Sequence, residues 1–408
     1  MRYNNRSFYV LGLVRIMILY KNFKRQSLLL WGLLIFTTLL HAAAPRSANI
    51  VKLTPDEVVN VFNSLEPPTK KFNKAAAQSI SYYRTLSDNK VFNYGSVSYS
   101  PHEMIRSIQL FQCLAKNVNS RADLRDKLIQ YFDVYETKNN YGSALITGYY
   151  APIYEGSLTR SDEFPYGLYE PPKAMNQARV KVRYFPRQVI EENPENLLRP
   201  IIYLRNRLDQ YFTHVQGSAI IRVRETDQLL HVGYHTDNGY KYTPIGKILI
   251  DENKIERENM SLQAIRRYVE NNPQELERLI NTESSFVFFK VKKQGAPLGN
   301  IGRPLTGWAS VAMDHRLIPR GGMVYLKTTV PDINYKDSDI PKKDMPHVPF
   351  ESFMFTQDTG GAIRGGGRVD VYFGEGEDAA FYAGLMSQFG RVLLIVAKKE
   401  ALFQTPCL

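Results

Sequence analysis

The sequence has few cysteines and few tryptophans, with two of each among its 408 residues. Two cysteines are too few for a structural zinc site, which takes four cysteine or histidine ligands. Cys113 lies in a segment with helical apolar spacing, which predicts a core position. A disulfide between Cys113 and Cys407 is an open alternative, since an oxidising compartment would permit it. The cysteine content therefore predicts no metal centre.

Motifs that would mark the commonest enzyme classes are also missing. The run Gly365–Gly367 is not followed by the Lys-Ser/Thr pair of a phosphate loop, and no Gly-x-Ser-x-Gly motif occurs. His231 and His235 are four residues apart, but they lie in a strand pattern, where four residues span roughly 13 Å. No glutamate stands at the metalloprotease position. We therefore predict neither a metal nor a cofactor.

Positive charge is concentrated at the N-terminus. The formal net charge is +12, and residues 1–46 hold seven basic residues and no acidic one. The remainder has 45 basic against 40 acidic residues. Such a weak excess, with no helix-turn-helix pattern and no basic stripe, argues against nucleic acid as a partner.

The N-terminal residues have the order of an export signal. Lys21, Lys24 and Arg25 precede the apolar run Leu28–Leu40, and the small residues Ala42–Ala44 follow. The run is too short for a comfortable membrane span. We predict that residues 1–44 are a signal peptide that directs the chain to the periplasm, with an uncleaved membrane anchor as the alternative.

The length predicts two domains, and the residue pattern changes along the chain. Residues 47–140 are predicted to be helical, with Thr54 as a helix cap. After residue 143 short strand patterns alternate with turns, and helices are predicted only at residues 260–280. The predicted strands are Ala144–Tyr154, Gln216–Arg224, Leu229–Tyr234, Lys247–Ile250, Ser285–Val291, Gly322–Lys327, Glu351–Thr356, Val369–Phe373 and Gly390–Ala397. Many short strands separated by glycine and proline indicate a small barrel.

Two aspartates bracket the most glycine-rich turn of the sequence. Asp358 and Asp370 flank five glycines, which leave the backbone open to a bulky polymer. Asp is unfavourable in a strand of valine and tyrosine, so Asp370 is the acid whose position most needs a function. A third acid, Asp314, lies upstream. Asp358 and Asp314 have an alternative role, which is to hold turns by accepting hydrogen bonds from backbone amides.

Several stretches of residues 144–397 resemble the membrane-bound lytic murein transglycosylase A family. The matching stretches are Thr147–Pro152, Val215–Ser218, Ile245–Asp251, Ser261–Arg266, Ser285–Phe289, Ala309–Gly321, Asp358–Ile363 and Val369–Asp370. The C-terminal part also resembles the domain named for three aspartates, here Asp314, Asp358 and Asp370. Two departures are the missing lipid-attachment cysteine and a Gly365–Arg368 turn that is one residue longer than expected.

The resemblance implies a mainly β fold with N-terminal helices. A double-psi β-barrel would comprise residues 45–151 and 293–408, a second β domain would be inserted at residues 152–292, and the substrate would lie in the groove between them. Peptidoglycan glycan strands would be the substrate. The chain would belong to the cell envelope, with attachment to a membrane through its N-terminus as an open alternative.

The resemblance also implies the site. Asp370 matches the family's catalytic aspartate, and Asp358 and Asp314 would be supporting acids. One aspartate suffices when the sugar's own 6-hydroxyl replaces water as the nucleophile and gives a 1,6-anhydro end. The candidates for substrate contact are Thr147, Tyr149, Tyr150, Gln216, Gly217, Ser218, Gly360 and Gly361.

Three alternatives stay open from the sequence. A hydrolase on the same barrel would use two carboxylates and would leave reducing ends. A wall-binding module would bind murein without cutting it. A membrane-tethered scaffold would keep its N-terminal segment and show no cleavage.

Overall fold

The computed structural model describes residues 49–139, 142–173, 175, 183–192, 194–292 and 297–404. The predicted export signal lies outside this part of the chain. Within it, no helix combines the length and the apolar character needed to cross a bilayer.

The N-terminal part combines helices with short strands. Its elements are β1 (Asn49–Lys52), α1 (Pro55–Val61), α2 (Lys70–Tyr83), β2 (Phe92–Tyr94), β3 (Val97–Tyr99), α3 (Pro101–Lys116), α4 (Arg121–Tyr131) and β4 (Phe132–Lys138). Thr54 caps α1 as predicted, in a capping box with Glu57. The prediction that residues 47–140 are all helical is wrong at the four strands. In β4 the run Phe132–Thr137 is buried on both faces, so the alternation typical of an exposed strand is absent.

The middle part holds seven strands and several helices. Its elements are β5 (Ala144–Ala151), β6 (Ile153–Ser157), β7 (Tyr166–Tyr169), α5 (Arg187–Glu192), α6 (Pro194–Leu197), β8 (Pro200–Leu204), α7 (Arg207–Gln216), β9 (Ser218–Val223), β10 (Leu229–Asp237), α8 (Ile245–Asp251), α9 (Leu262–Asn271), α10 (Glu275–Asn281) and β11 (Val287–Lys292). Strands β6–β11 form one open sheet in the order β11-β10-β9-β6-β8-β7.

The C-terminal part completes a second, larger sheet. Its elements are β12 (Ser310–Ala312), β13 (Met323–Pro331), β14 (His347–Asp358), β15 (Arg368–Glu375), α11 (Gly376–Leu385), β16 (Ser387–Ala397) and α12 (Ala401–Gln404). The strand order is β1-β4-β16-β13-β14-β12-β15-β5, and an additional pairing of β16 with β5 closes six of these strands into a barrel. Strand β5 therefore joins the C-terminal strands although more than 200 residues separate them in sequence.

Three local predictions are corrected by the structure. The predicted strand Ala144–Tyr154 is divided at Pro152, and its halves β5 and β6 belong to different sheets. The predicted strand Lys247–Ile250 is part of helix α8, because Ile245 and Leu249 lie four residues apart and are both buried. Gln216 ends helix α7 rather than beginning a strand, and Gly217 follows it in the left-handed conformation with φ of 72°.

Cys113 lies on α3, but it is only partly buried, so its prediction as a core residue is wrong. It is disulfide-bonded. The only other cysteine of the sequence, Cys407, lies outside the described residues. Buried side chains of α3, such as Phe111, pack instead against the barrel through Phe353 and Phe132.

Candidate active site

Asp370 lies in the middle of β15, between β12 and β5 of the barrel. Its register partner on the parallel strand β5 is Thr147, and Thr147 is in turn the partner of Ser387 on β16. Register partners point to the same side of a sheet, whereas the neighbours Val369 and Val371 point inward and are fully buried. We call the side of β5, β15 and β16 that carries Asp370 the Asp370 face.

Few neighbouring groups stabilise the negative charge of the Asp370 carboxylate. Its Oδ1 atom is enclosed and has no hydrogen-bond partner among the described residues. The nearest cation is Arg368, whose Nη2 lies 3.5 Å from Oδ1, and the Asp370 side chain keeps 21% exposure. Burial raises the pKa of Asp370 above its usual value, and the charge of Arg368 only partly opposes this. The arrangement favours a protonated acid that solvent or a ligand still reaches.

Asp358 ends β14 and is held by hydrogen bonds on both oxygens. The hydroxyl of Tyr149 donates to Oδ2 at 2.7 Å, and the backbone N–H of Asn300 donates to Oδ1 at 2.9 Å. Burial raises the pKa of Asp358 to about 6, and the charge of Asp370 acts in the same direction, although both hydrogen bonds oppose the rise. Asp358 is therefore an oriented carboxylate whose charge is electrostatically coupled to Asp370.

Asp314 has a different environment and acts as a structural acid. Its side chain is 2% exposed and forms an ion pair with Arg316 at 2.6 Å. The backbone N–H of Gly365 donates to Oδ2 at 2.9 Å. Hydrogen bonds from the Arg316 guanidinium lower the pKa of Asp314 to about 2. The alternative role of holding turns therefore fits Asp314, which ties the glycine-rich turn to the loop after β12.

A single small residue separates the two coupled acids. Ala312 on β12 is the register partner of Asp370 on one side and of Asp358 on the other. Neighbouring strands lie about 4.8 Å apart, so the α-carbons of the two aspartates are about 10 Å apart. Because alanine has only a methyl side chain, the space between the carboxylates is not filled from the strand that lies between them.

The predicted contact residues of β5 lie at different depths. Thr147 is partly exposed beside Asp370, and its hydroxyl lies 3.5 Å from the carbonyl oxygen of Val369. The ring of Tyr149 lies 5.2 Å from that of Tyr372, and the Tyr149 hydroxyl donates a hydrogen bond to Asp358. Tyr150 is nearly buried, with 8% exposure. Strand β5 thus brings Thr147 to Asp370 and Tyr149 to Asp358, whereas Tyr150 is buried in the core cluster of the barrel.

The predicted contacts outside β5 lie on two further segments. Gln216 accepts a hydrogen bond from the backbone N–H of Tyr150 at 3.3 Å, which joins α7 to the barrel strand β5. Gly217 and Ser218 follow it and are partly exposed. On the loop after β14, Gly361 has open space where a side chain would stand, and Gly360 accepts a hydrogen bond from Arg364. Because glycine has no side chain, Gly360 and Gly361 leave the space next to this loop, beside Asp358, open.

Sequence reasoning missed two residues that position the acids. Asn300 holds Asp358 through its backbone N–H, and its side chain contacts His315 Nδ1 at 3.1 Å. Arg316 neutralises Asp314. No motif marked Asn300, because a backbone donor leaves no signature in residue type. Arg316, two residues after Asp314, was visible as a basic neighbour.

No group of three histidine, cysteine, aspartate or glutamate side chains in the described ranges is placed to hold a metal ion. His231 and His235 both lie on β10, as the strand pattern indicated.

Two family models match the chain at the segments just described. The model described as the MltA specific insert domain matches residues 145–290, and the model described as the 3D domain matches residues 309–396. Together they include all three aspartates.

Curated proteins and solved structures agree with these models. Membrane-bound lytic murein transglycosylase A of Escherichia coli K12 is 31% identical over 261 residues, which cover 64% of this chain and 67% of the relative. The homolog from Buchnera aphidicola is 28% identical over 72% of this chain and 77% of its own length. The E. coli MltA structure with bound chitohexaose superposes with a TM-score of 0.66 at 26% identity, covering 86% of this chain and 94% of that one.

A membrane-bound lytic murein transglycosylase from Agrobacterium tumefaciens has the same fold, with a TM-score of 0.66 at 23% identity, covering 86% of this chain and 99% of that one. The predicted fold class, mainly β with N-terminal helices, a double-psi β-barrel and an inserted β domain, is thereby confirmed. The fold and the matched domains define a lytic transglycosylase class of protein. The chain belongs to the membrane-bound lytic murein transglycosylase A family.

Proposed function

We propose that this protein cleaves the glycan strands of peptidoglycan as a lytic transglycosylase, with Asp370 as its single acid and base. The observation that carries the proposal is the state of Asp370. It is an acid in an apolar strand, without a hydrogen-bond partner on Oδ1 among the described residues, and burial raises its pKa. A raised pKa is what proton donation near neutrality requires. Membership in a family whose members are named for this activity supports the proposal.

The reaction needs one proton to move out and one to return. Protonated Asp370 donates to the glycosidic oxygen between N-acetylmuramic acid and N-acetylglucosamine, and the bond from the anomeric carbon to that oxygen breaks. The resulting carboxylate accepts the proton of the muramyl 6-hydroxyl, whose oxygen bonds to the anomeric carbon. The product is a 1,6-anhydro end, no water is consumed, and Asp370 is protonated again.

Asp358 supports this cycle through its charge. Ionised Asp358 repels a second negative charge on Asp370 and so favours the protonated form of Asp370 before cleavage. The same charge stabilises positive charge that develops on the sugar when the bond breaks. Tyr149 and Asn300 keep the Asp358 carboxylate in one orientation. Asp314 supports the site only indirectly, by fixing the turn that precedes β15.

The two sheets support the domain division that the sequence suggested. We assign residues 45–151 and 293–408 to the barrel domain and residues 152–292 to the inserted domain. Strands β1, β4, β5 and β12–β16 form the larger sheet, whereas β6–β11 form the other. The glycan would lie in the groove between the domains. Thr147, Tyr149 and the loop at Gly360 and Gly361 would contact it from the barrel, with Tyr150 beneath, and Gln216, Gly217 and Ser218 would contact it from the insert.

Hydrolysis with two carboxylates is the competing reaction. In that reaction a second carboxylate would activate a water molecule as a general base. Asp358 is the candidate for this role, and the protein holds it through one hydrogen bond on each of its oxygens. The intramolecular attack of the 6-hydroxyl requires no second carboxylate, and the end groups of the products distinguish the two reactions.

The protein would act in the cell envelope, where its substrate lies and where relatives named as membrane-bound belong. The N-terminal residues 1–44 would direct export to the periplasm. N-terminal sequencing of the protein from membrane and soluble fractions tests this. A start near Ala42–Ala44 is expected, and an intact Leu28–Leu40 segment would instead support an anchor.

Product analysis tests the proposed reaction. Purified protein is incubated with peptidoglycan sacculi, and the released fragments are analysed by mass spectrometry. We expect fragments with 1,6-anhydro-muramyl ends, whose mass lacks one water relative to a reducing end. Release of reducing ends alone would establish hydrolysis, and binding of sacculi without any release would establish a wall-binding module.

A further inference from the structure

The Asp370 face has a second row of side chains next to the row formed by Asp370, Thr147 and Ser387. Arg368 on β15 is the register partner of Leu145 on β5, and Leu145 is the partner of Phe389 on β16. Each residue lies two positions along its strand from Asp370, Thr147 or Ser387, so it points to the same side of the sheet. The two rows are therefore about 7 Å apart.

This row is open to solvent although its composition is partly apolar. Phe389 is 64% exposed, and Leu145 beside it is partly exposed. An apolar ring held at this exposure on a barrel strand, next to a site for a polymer, is a surface on which the face of a sugar ring would pack. At the opposite end of the Asp370 face Tyr372 is only 1% exposed, and Tyr149 beside it is partly exposed.

Arg368 adds a charge to one end of this row. Its side chain is 25% exposed, and Asp370 is the only carboxylate within ion-pair distance of it in the part of the chain that the structure describes. At 3.5 Å that contact is too long for a good hydrogen bond, so most donors of the guanidinium are left for a ligand. Guanidinium groups bind carboxylates in a two-pronged geometry.

We propose that Arg368, Leu145 and Phe389 form a subsite for a sugar ring that carries a free carboxylate. Under the proposed function, on which this inference rests, that sugar is an N-acetylmuramic acid residue without its peptide. The carboxylate of its lactyl group is free in a peptide-free strand and is consumed as an amide when a peptide is attached. The sugar ring packs on Phe389 and Leu145, and its carboxylate pairs with Arg368. The protein therefore binds peptide-free strands more tightly than neutral or amidated ones.

Binding measured without cleavage tests this subsite. The Asp370→Asn variant serves as the background, and dissociation constants are measured by calorimetry for three oligosaccharides of equal length. These are a peptide-free murein oligosaccharide, the same oligosaccharide with its carboxylates converted to amides, and a neutral chito-oligosaccharide. We expect the peptide-free ligand to bind at least about tenfold more tightly than the other two, on the scale of one charge-assisted hydrogen bond.

Two substitutions separate the contributions of charge and ring. Arg368→Gln should weaken the peptide-free ligand by about tenfold and leave the other two unchanged. Phe389→Ala should weaken all three by at least about fivefold, and Phe389→Tyr should restore binding. The matched controls are Arg222→Gln on β9, an exposed arginine paired with Asp227, and Phe403→Ala on α12, a phenylalanine with 66% exposure.

Equal weakening of all three ligands by Arg368→Gln would overturn the proposal, as would unchanged binding in Phe389→Ala. These outcomes are distinct from failure of the proposed function, because the binding background does not cut. Reducing ends released by the wild-type protein would reject the transglycosylase reaction, whereas selective loss of carboxylate binding in Arg368→Gln would still support the subsite.

Discussion

Two sites of the molecule, one in the inserted domain and one on the barrel, stabilise buried charge to very different degrees. In the inserted domain Arg187 is 1% exposed, and it donates to Glu191 at 2.9 Å and to the carbonyl oxygen of Ser285 at 2.9 Å. Burial alone would raise the pKa of Glu191, but hydrogen bonds from Arg207 and the charge of Arg187 lower it. On the barrel, Asp370 has only a distant arginine, and its pKa is raised.

Because of this difference, we expect the paired charges of the insert to affect stability and Asp370 to affect reactivity. A buried carboxylate that accepts hydrogen bonds from two arginines holds the fold, and loss of one partner is costly. A carboxyl group with one long ion pair and no hydrogen bond on Oδ1 contributes little to folding, and its raised pKa makes its proton available for transfer at higher pH. Substitutions in the first region should therefore unfold the protein, and substitutions in the second should inactivate a folded one.

The largest expected effect is on stability, at the paired glutamate of the insert. Glu191→Ala leaves Arg187 and Arg207 without their shared carboxylate, so the free energy of unfolding should fall by about 3–5 kcal/mol. Denaturation in urea measures it. Glu163→Ala, which removes an exposed partner of Arg205 and Arg224, should cost at most about 1 kcal/mol. Equal stability of the two variants would show that buried pairing in the insert does not stabilise the fold.

The second effect is on catalysis at Asp370. Asp370→Asn removes the transferable proton, so release of anhydro-muropeptides from sacculi should fall by at least about 10²-fold. The urea midpoint should not decrease, because the lost carboxylate has no hydrogen bond on Oδ1 from the described residues. Circular dichroism verifies the fold. An active Asp370→Asn protein beside an inactive Asp358→Asn protein would mean that the acid is Asp358.

A smaller effect is expected at Asp314, the acid of the barrel that is paired like those of the insert. Its pKa of about 2 lies below the unfolded value, so its stabilisation is fully present above about pH 4 and is lost as the pH falls toward 2. Asp314→Asn should cost about 1–2 kcal/mol at pH 7, a range that allows for the exposure of Arg316.

The measurement is urea denaturation of Asp314→Asn and wild type at several pH values. The difference between them should shrink below about pH 4. The control is Asp227→Asn, whose exposed side chain pairs with Arg222, and it should show little difference at any pH. A cost that is the same at pH 3 and pH 7 would contradict the ion pair with Arg316 as the cause.

The smallest effect is expected at Asp358, where it appears as a shift with pH. The charge of Asp370 raises the pKa of Asp358. Because repulsion between like charges is mutual, ionised Asp358 also favours protonated Asp370, and Asp358→Asn removes that influence. Cleavage requires protonated Asp370 and is lost as the pH rises through its pKa. The alkaline limb of the pH–rate profile should therefore move to lower pH, with less than about a tenfold loss at the optimum. An unmoved alkaline limb would show that the two acids are not coupled.

The sequence predicted Asp370 because its physical signal is local. An acid between Val369 and Val371, next to glycines, departs from strand composition, and that departure is visible without a structure. The resemblance to a known family then supplied the fold and the pairing of distant segments. The strands β13–β16 were predicted at the right places, since their apolar runs are bounded by glycine and proline, but β13 extends four residues beyond Lys327 and β14 begins four residues before Glu351.

The missed features depend on contacts between segments that are distant in sequence. Helix α8 was predicted as a strand because Lys247–Ile250 alone has strand composition, and only packing of Ile245 and Leu249 on the insert core favours a helix. The division of the predicted strand Ala144–Tyr154 at Pro152 was missed because its two halves pair with different sheets, and those pairings involve segments distant in sequence. The row formed by Arg368, Leu145 and Phe389 was invisible, because its members come from three strands whose register no local pattern fixes.

The parallel pairing of β5 with β15 also determines when the site comes into existence. Thr147 and Val369 lie in contact but are 222 residues apart along the chain. Pairings of such high sequence separation form late in folding, because a long loop must close first. A chain still leaving the ribosome has β5 without its neighbour until β15, which also carries Asp370, has been made more than 200 residues later. A chain without β15 lacks both the proposed acid and its neighbouring strand, so it cannot cleave a glycan. The capacity to cut therefore arises only with completion of the barrel.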